Sequence, residues 1–360
     1  MSAINKSLYE KFIIESVDGS KTADISGGVV SFNYYENLFS PMITAKVVVV
    51  NTGNTIMGDD GILQSLYNGF PLTGGERVVI KISGNSASND GLDFSDSPNR
   101  YFYVGSITNV LIKEEKETFT LNLVSREAIT NETIRVGKRF PTSQKISDSV
   151  KDICKNYLSS DKLYDVDETQ NPYGFIGNMK KPFTVITWLA SKSVPSTVSD
   201  GDATAGYFFF ETQKGFRFKS IDQLIDQEPY EKKYVYTPGI VEYKGARNDF
   251  KILEYSTSKN QNLLDNLERG AYCSHRKYLN PLTFEYTPAP QTIFKLDDYS
   301  GKIKNLGGDI NVTLPTLSNK DTRTLASVPS RYITGILDVG TIENDVCLLY
   351  TSDAADDKQC

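Results

Sequence analysis

The chain of 360 residues is long enough for two or three domains, and its hydrophobic content of 39% is typical of a globular protein. A net charge of −6 gives no basic footprint of the kind that tight nucleic-acid binding requires. The single histidine, His275, restricts histidine-based catalysis and histidine-rich metal sites. No apolar run is long enough to span a bilayer, and the first residues lack a signal-peptide core. No Cys-x-x-Cys spacing occurs, so Cys154 and Cys273 are expected to be free thiols.

Two long strands are predicted early in the chain, over residues 29–51, with a turn at 37–41. The second strand is dense in Val, Ile and Thr, which favour a pleated, packed surface. Because strand side chains alternate, one face is expected to be partly wet and carries Thr44, Lys46 and Val48. The opposite face is expected to be dry and carries Ile43, Ala45, Val47 and Val49.

Other predicted strands surround this pair. They cover residues 8–16, 77–83, 101–115 and 117–127, the last two as a hairpin about 114–117. A short helix at 61–68, capped by Asp59 or Asp60, is expected to dock on the sheet. By residue 127 the chain shows about six strands, which is enough to close a small barrel.

Helices are predicted after residue 141. The first covers 142–159, with Thr142 or Ser143 as its cap, and the second covers 183–192. Apolar residues at helical spacing predict a helix core of Ile146, Val150, Ile153, Tyr157 and Trp188. A hairpin follows over 207–219, and Ser220 is expected to cap a short helix at 221–225. Its predicted aromatic face consists of Phe208, Phe210, Phe216 and Phe218.

Another β-type region is predicted from Gly239 onward. It has strands at 250–256, 282–287 and 292–299, a helix at 262–269 and a last element at 331–340. Residues 347–360 do not continue this pattern, and 347–356 resemble the translation of a sequencing adapter. We therefore expect the native protein to end near Val346 within a truncated gene; the alternative is a genuine polar C-terminal tail.

Motifs of catalytic and cofactor sites are absent from the sequence. It has no phosphate loop, no dinucleotide-binding glycine pattern and no nucleophile elbow. Asp59–Asp60 and Asp297–Asp298 are adjacent residues, so we interpret them as turn and cap carboxylates rather than as a glycosidase pair. The acidic stretch 165–169 lacks calcium-loop spacing and is interpreted as a solvated turn. We expect no enzymatic activity, no cofactor and no metal.

Several stretches, in this order and spacing, resemble one protein family. They are VVSFNYYENLFSPMITAKVVV, YFYVGSITNV, FTLNLVSREAITNETIRVGKRFP, ISDSVKDICKNYL and YFFFETQKGFRFKSIDQLIDQEPY. Together they resemble the central baseplate hub proteins of contractile-tailed phages of the T-even type, over residues 8 to about 340. No single motif is diagnostic, and the resemblance depends on the order of the motifs.

The resemblance implies an α+β, mainly β fold with two tail-tube-like antiparallel β-barrels and a mixed helical/β region between them. The first barrel would cover residues 1–127, the mixed region 128–238 and the second barrel 239–346. The second barrel would contain a long insertion and remain incomplete. Thr44 and Lys46 would then face the lumen, with Ile43, Val47 and Val49 on the barrel core.

The resemblance also implies a function. The family forms a homotrimeric ring that joins a trimeric, lysozyme-type spike protein to the six-fold tail tube and its initiator proteins. Partners would include the end of the tape measure, and DNA would pass through without specific binding or membrane insertion. The protein would reside in the virion baseplate after assembly in the host cytoplasm. Two alternatives remain: a tail-tip cell-wall hydrolase with a carboxylate pair, and another tube-initiator or spike-base module of a contractile injection system.

Overall fold

The computed structural model describes most of the chain up to residue 336. The described residues are 7–54, 56–58, 61–70, 72–85, 90–113, 116–196, 206–228, 234–236, 251–252, 254–256, 262–286, 293–295 and 325–336. This part is mainly β with a few short helices, so the α+β, mainly β prediction is confirmed. The predicted caps Asp59 and Asp60, Asp297–Asp298, the strand end at 337–340 and the tail at 347–360 lie outside these residues.

The described elements are mostly strands, with six α-helices between them. The strands are β1 Leu8–Glu15, β2 Thr22–Asp24, β3 Val29–Tyr35, β4 Thr44–Thr52, β5 Ile56–Met57, β6 Leu63–Gln64, β7 Arg77–Ser83, β8 Leu92–Asp93, β9 Phe102–Lys113, β10 Lys116–Ser125, β11 Arg139–Phe140, β12 Leu163–Val166, β13 Phe175–Ile176, β14 Tyr207–Thr212, β15 Gly215–Ser220, β16 Val235–Tyr236, β17 Lys251–Ile252, β18 Cys273–Leu279, β19 Ile293–Lys295 and β20 Arg331–Ile336. The helices are α1 Leu66–Gly69, α2 Arg126–Thr133, α3 Ile146–Asn156, α4 Pro182–Lys192, α5 Ile221–Asp226 and α6 Leu263–Glu268.

The first region is built on one large antiparallel sheet, with the short pair β5–β6 as a separate ladder. Its strands follow the order β2-β1-β7-β9-β10-β4-β3, and β8 pairs with β7. The predicted pairing within residues 29–51 is confirmed, because β3 and β4 are antiparallel neighbours from Val29 opposite Val49 to Tyr35 opposite Thr44. The predicted hairpin of β9 and β10 is confirmed as well. The short helix starts at Leu66, later than predicted, and covers one turn.

This sheet is curled so that its two ends approach each other. The end strands β2 and β3 are far apart in the ladder but are joined by residues 25–28 alone. In that link, the Ile25 amide donates to the Phe12 carbonyl. Gly28 lies against β4 so closely that a Cβ atom there would come within 2.5 Å of the Val50 carbonyl oxygen. Among the described residues no ladder joins β2 to β3, so hydrogen bonds do not close the sheet.

The second region packs α3 and α4 on the three-stranded sheet β12-β15-β14. Helix α3 begins at Ile146, not at 142, and Lys145 takes the N-cap position without a side-chain hydrogen bond. The predicted caps Thr142 and Ser143 instead lie in the segment that leads into it. Ser220 does cap α5, as predicted, by accepting from the Gln223 amide.

Trp188 does not belong to the helix core, so that prediction was wrong. It is 38% exposed on α4 and packs at the surface against the rings of Tyr173 and Phe175. Burial on α4 falls instead on Phe183, Ile186 and Leu189. Helical spacing alone did not distinguish these neighbouring positions on the helix.

The aromatic face of the β14–β15 hairpin also differs from the prediction. The hairpin pairs Phe209 with Phe218 and Glu211 with Phe216, so odd positions of β14 share a face with even positions of β15. Phe208 and Phe210 lie on the other face, opposite Lys219 and Arg217. The prediction assigned even positions on both strands to one face, and the two-residue turn at 213–214 excludes that register.

The C-terminal described sheet has the order β19-β18-β20, in which β18 and β20 are parallel. The helix predicted near 262–269 is confirmed as α6, with the Asn262 side chain accepting from the Asp265 amide. The strand predicted at 282–287 is wrong, because residues 281–283 form a turn and only Tyr286 makes an isolated bridge. Strand β18 was not predicted.

Candidate functional site

The outer face of the curled sheet carries a row of polar side chains across four neighbouring strands. In register, Asn33 on β3 lies opposite Lys46 on β4, Lys46 opposite Asn122 on β10, and Asn122 opposite Ser106 on β9. We call Asn33, Lys46, Asn122 and Ser106 the polar row. The parallel row beside it consists of Ser31, Val48, Thr120 and Thr108. Neither row contains an acidic side chain, and Lys46 supplies their single positive charge.

Side-chain hydrogen bonds fix one end of this surface. The Asn122 amide nitrogen donates to Ser106 Oγ at 3.1 Å and to Thr108 Oγ1 at 3.2 Å. Asn33 and Ser106 are exposed, and Lys46 and Asn122 are half-buried. The polar row therefore presents two amides, a hydroxyl and one ammonium group on the face of the sheet that turns away from its core. In the row beside it, Thr120 is only 2% exposed, so that row is less open to solvent.

The opposite face of β4 forms part of the main core. Ile43, just before the strand, is 4% exposed, and Val47 and Val49 are fully buried among aromatic and aliphatic side chains of the other strands. Thr44 and Lys46 lie on the outer face. In the second region, Ile146, Val150 and Ile153 are fully buried, whereas Tyr157 is half-buried and packs at the edge of that core.

A buried ionic cluster joins the two regions. It consists of Arg126 and Glu127 at the start of α2, Lys162 before β12, and Glu211 on β14; we call it the junction cluster. The Lys162 ammonium lies 2.8 Å from Glu127 Oε2 and 3.4 Å from Glu211 Oε1. Arg126 donates to Glu127 Oε1 at 3.1 Å. Two carboxylates thus meet two cations, and the formal charges balance.

Three of the four side chains in the junction cluster are shielded from solvent, and the fourth, Arg126, is 28% exposed. The side chains of Glu127, Glu211 and Lys162 are 0%, 1% and 8% exposed. Desolvation raises the pKa of Glu211 to about 7, because burial penalises its charged form more than Lys162 and the hydrogen bond from the Ile43 amide favour it. The nearby Glu127 carboxylate also raises it. Neither carboxylate lines the cavity beside α1 or the cavity beside α3 that the described residues form.

The connection between β3 and β4 also contacts the second region. The Ile43 amide donates to Glu211 Oε2 at 3.1 Å, and the Gln213 amide donates to Glu36 Oε1 at 2.6 Å. The rings of Phe39 and Phe208 meet edge to face with centroids 5.3 Å apart. One short segment therefore attaches the sheet to the β14–β15 hairpin.

The interpretation of residues 165–169 as a solvated turn was wrong. Asp167 is 6% exposed, and its carboxylate accepts from Lys219 at 2.7 Å and from the Ser220 amide at 2.8 Å. Asp165 lies in β12 and pairs with Lys219 at 3.0 Å. These partners are more than 50 residues away along the chain, so local sequence gave no signal for them.

The junction cluster was likewise missed by sequence reasoning, because its members come from three separate segments. Among the described residues, no group of three His, Cys, Asp or Glu side chains is arranged to hold a metal ion. Within the same residues, no helix is both long and apolar enough to cross a membrane. Cys154 and Cys273 are buried and form no disulfide bond within the described residues, as predicted.

Comparisons with known proteins give weak structural likenesses to phage tail and secretion-system proteins. The fold is similar to the 43 kDa tail protein of prophage MuSo2 from Shewanella oneidensis (11% identity, TM-score 0.41, 63% of this chain and 58% of that one). It is also similar to a tail protein from Neisseria meningitidis (10% identity, TM-score 0.43, 92% of this chain and 71% of that one). A third likeness is the Escherichia coli c3393 protein, a type VI secretion component (8% identity, TM-score 0.32, 66% and 51% covered).

The chain thus spans a little over half of the MuSo2 protein. No protein-family model matches the sequence, and no curated protein matches it.

Proposed function

We propose that this chain is a structural, non-enzymatic subunit of a phage tail baseplate hub. In this proposal three copies form a ring that adapts a trimeric spike to the six-fold tail tube, contacts the tape-measure end and lets DNA pass. The ring assembles in the host cytoplasm and resides in the virion. The proposal combines the ordered resemblance of the sequence motifs with one structural observation, the polar row on the outer face of the curled sheet.

The polar row supports a role as a channel wall. A surface that holds DNA tightly needs several cations, since each neutralised phosphate contributes to affinity. The two rows offer one cation, Lys46, among the amides and hydroxyls of Asn, Ser and Thr side chains and the aliphatic Val48. In the proposed ring, Thr44 and Lys46 face the lumen while Ile43, Val47 and Val49 hold the wall to its core.

The edge of the sheet supports assembly between copies. β3 is the last strand of the ladder, and among the described residues no strand pairs with its outer edge. An unpaired edge is a template for another strand. In the proposal, barrels formed by residues 1–127 and 239–346 alternate around the ring and pair edge to edge, with 128–238 as the mixed region outside them.

The test is the assembly state of the purified protein in solution. Native mass spectrometry and electron microscopy are expected to show a trimeric ring, and a monodisperse monomer at high concentration would overturn the proposal. Val30→Asp places a charge on β3, where Val30 is 63% exposed, and should weaken the ring. Val17→Asp, in a turn and 59% exposed, is the matched control.

Two further measurements address the channel and the absence of catalysis. The assembled ring should release double-stranded DNA rapidly at physiological salt, and tight retention would contradict the channel role. Purified peptidoglycan should remain intact with the protein. Cleavage that disappears when one Asp or Glu is replaced would favour the hydrolase alternative instead.

A further inference from the structure

A cavity of about 400 Å³ lies at the end of the sheet where β10 begins, beside α1. Its walls are formed by Asn54, Leu63, Gln64, Ser65, Asn68, Ile112, Lys116 and Glu117. This size falls within the range of ligand pockets, about 300–1,000 Å³. The cavity is separate from both the polar row and the junction cluster.

Glu117 forms the inner wall of this cavity and is only 2% exposed. Its Oε1 accepts from the Asn51 side chain at 2.8 Å and from the Tyr67 amide at 2.9 Å. Its Oε2 is buried and has no hydrogen-bond partner among the described residues. The hydroxyl of Ser65, which also lines the cavity, is likewise buried without a partner among the described residues.

The two unpaired oxygens, Glu117 Oε2 and Ser65 Oγ, lower the stability of the fold as long as no donor reaches them. Leaving a buried polar group unsatisfied costs about 1–3 kcal/mol, and more when the group is charged. No ion pair to Glu117 is present in the described part of the chain. A ligand that brings hydrogen-bond donors to this carboxylate and this hydroxyl would therefore be stabilised, and a cationic donor most of all.

Two exposed aliphatic side chains lie among the polar residues that line the cavity. Leu63 is 52% exposed and Ile112 is 51% exposed, and both line it. Met57, opposite Leu63 in the β5–β6 ladder, is 57% exposed. A buried acid with exposed aliphatic side chains beside it matches a basic side chain carried on an apolar segment.

We propose that this cavity binds an arginine side chain of a partner protein, with apolar residues beside that arginine resting on Leu63 and Ile112. A guanidinium is planar and has five donors, which is enough for hydrogen bonds to both Glu117 Oε2 and the Ser65 hydroxyl. Lys116 lies at the mouth and is exposed, so water and salt screen its repulsion. This inference does not depend on the proposed function.

Binding of short peptides to the 360-residue chain tests the proposal. The probe is the tripeptide acetyl-Leu-Arg-Leu-amide, and its matched control replaces arginine with citrulline, which keeps the shape and removes the charge. Titrations followed by NMR should show saturable binding of the arginine peptide, with the citrulline peptide at least about tenfold weaker, a difference of about 1.4 kcal/mol. Equal binding of the two peptides, or no binding of either up to millimolar concentration, would overturn the proposal.

Variants locate the binding in the cavity. Glu117→Gln keeps an acceptor for the Tyr67 amide but removes the charge, and it should weaken the arginine peptide at least about tenfold. Glu268→Gln removes the same charge from an exposed position and should leave binding unchanged. Leu63→Lys, at an exposed position, should also weaken binding and does not disturb the core. Unchanged affinity in both cavity variants would overturn the proposal, as would self-association of the wild type that Glu117→Gln abolishes.

Discussion

Phe12 and Phe32 meet edge to face with ring centroids 5.5 Å apart, although their strands, β1 and β3, are not ladder neighbours. Four strands, β7, β9, β10 and β4, lie between β1 and β3 in the sheet. The contact therefore crosses the interior of the curled sheet and joins its two ends. Side-chain packing performs here what hydrogen bonds perform in a closed barrel.

Phe32→Ala should loosen this junction of the sheet ends. At a fully buried position, a Phe→Ala change lowers the free energy of unfolding by about 3–5 kcal/mol. Because Phe32 is half-buried, we expect a loss of about 2 kcal/mol. Amide hydrogen exchange should increase in β1 and β3 more than in β9 and β10. Phe284→Ala, at a position 80% exposed, is the control and should leave that exchange unchanged. Uniform exchange across the sheet would contradict the role given to the contact.

Lys162→Met should destabilise the second region strongly. The change leaves Glu127 and Glu211 buried without the ammonium between them, and breaking a buried ion pair costs about 3–5 kcal/mol. The loss in the free energy of unfolding is measured by urea titration, monitored by the fluorescence of Trp188, the single tryptophan. Lys151→Met, at an exposed ion pair, is the control and should cost less than about 1 kcal/mol. Adding Glu211→Gln to Lys162→Met should recover part of the loss.

Glu211 should make stability depend on pH. Its folded-state pKa, about 7, exceeds the ordinary value of 4.5, so between these pH values the folded state holds a proton that the unfolded state has released. The free energy of unfolding of the wild type, relative to Glu211→Gln, should therefore fall as the pH rises from 4.5 to 7 and stay level above. Paired urea titrations at pH 4.5, 6 and 8 measure this difference. A difference that is independent of pH would show that Glu211 titrates normally.

Val150→Asp should unfold or aggregate the protein. Val150 is fully buried on α3, and an unpaired charge there has no compensating partner. Solubility and circular dichroism are the measurements. Lys151→Asp introduces the same side chain at the next, exposed position and should remain soluble. A soluble, folded Val150→Asp protein would mean that this face of α3 is not packed as described.

Local patterns were sufficient to predict several elements. The β-branched run before Asn51 predicted β4, and the alternation of its faces follows directly from strand geometry. Ser220 and Asn262 were recognisable caps because capping is a short-range hydrogen bond. β18 was missed because its polar sequence SHRKY has no apolar alternation, and its pairing with β20 is distant in the chain.

Long-range polar contacts could not be predicted in the same way. Glu211 faces the core because the register of its hairpin places it beside Phe216, and a one-residue shift would have exposed it. Its partners, Lys162 and the Ile43 amide, are 49 and 168 positions away. The polar row was predictable only in part. The alternation of side chains predicted Lys46 on the wet face. The alignment of Asn33, Asn122 and Ser106 with Lys46 is known only from the strand pairing in the structure.

The segment between β3 and β4 couples the β14–β15 hairpin mechanically to the large sheet. Its contacts through Glu36, Phe39 and Ile43 all reach β14 or the turn that follows it. Because these contacts are spaced along one short stretch, a force that pulls on the β14–β15 hairpin is carried directly into β4 and the strands bonded to it. A rotation of the hairpin is therefore expected to rotate the sheet with it, and a rotation of the sheet to rotate the hairpin.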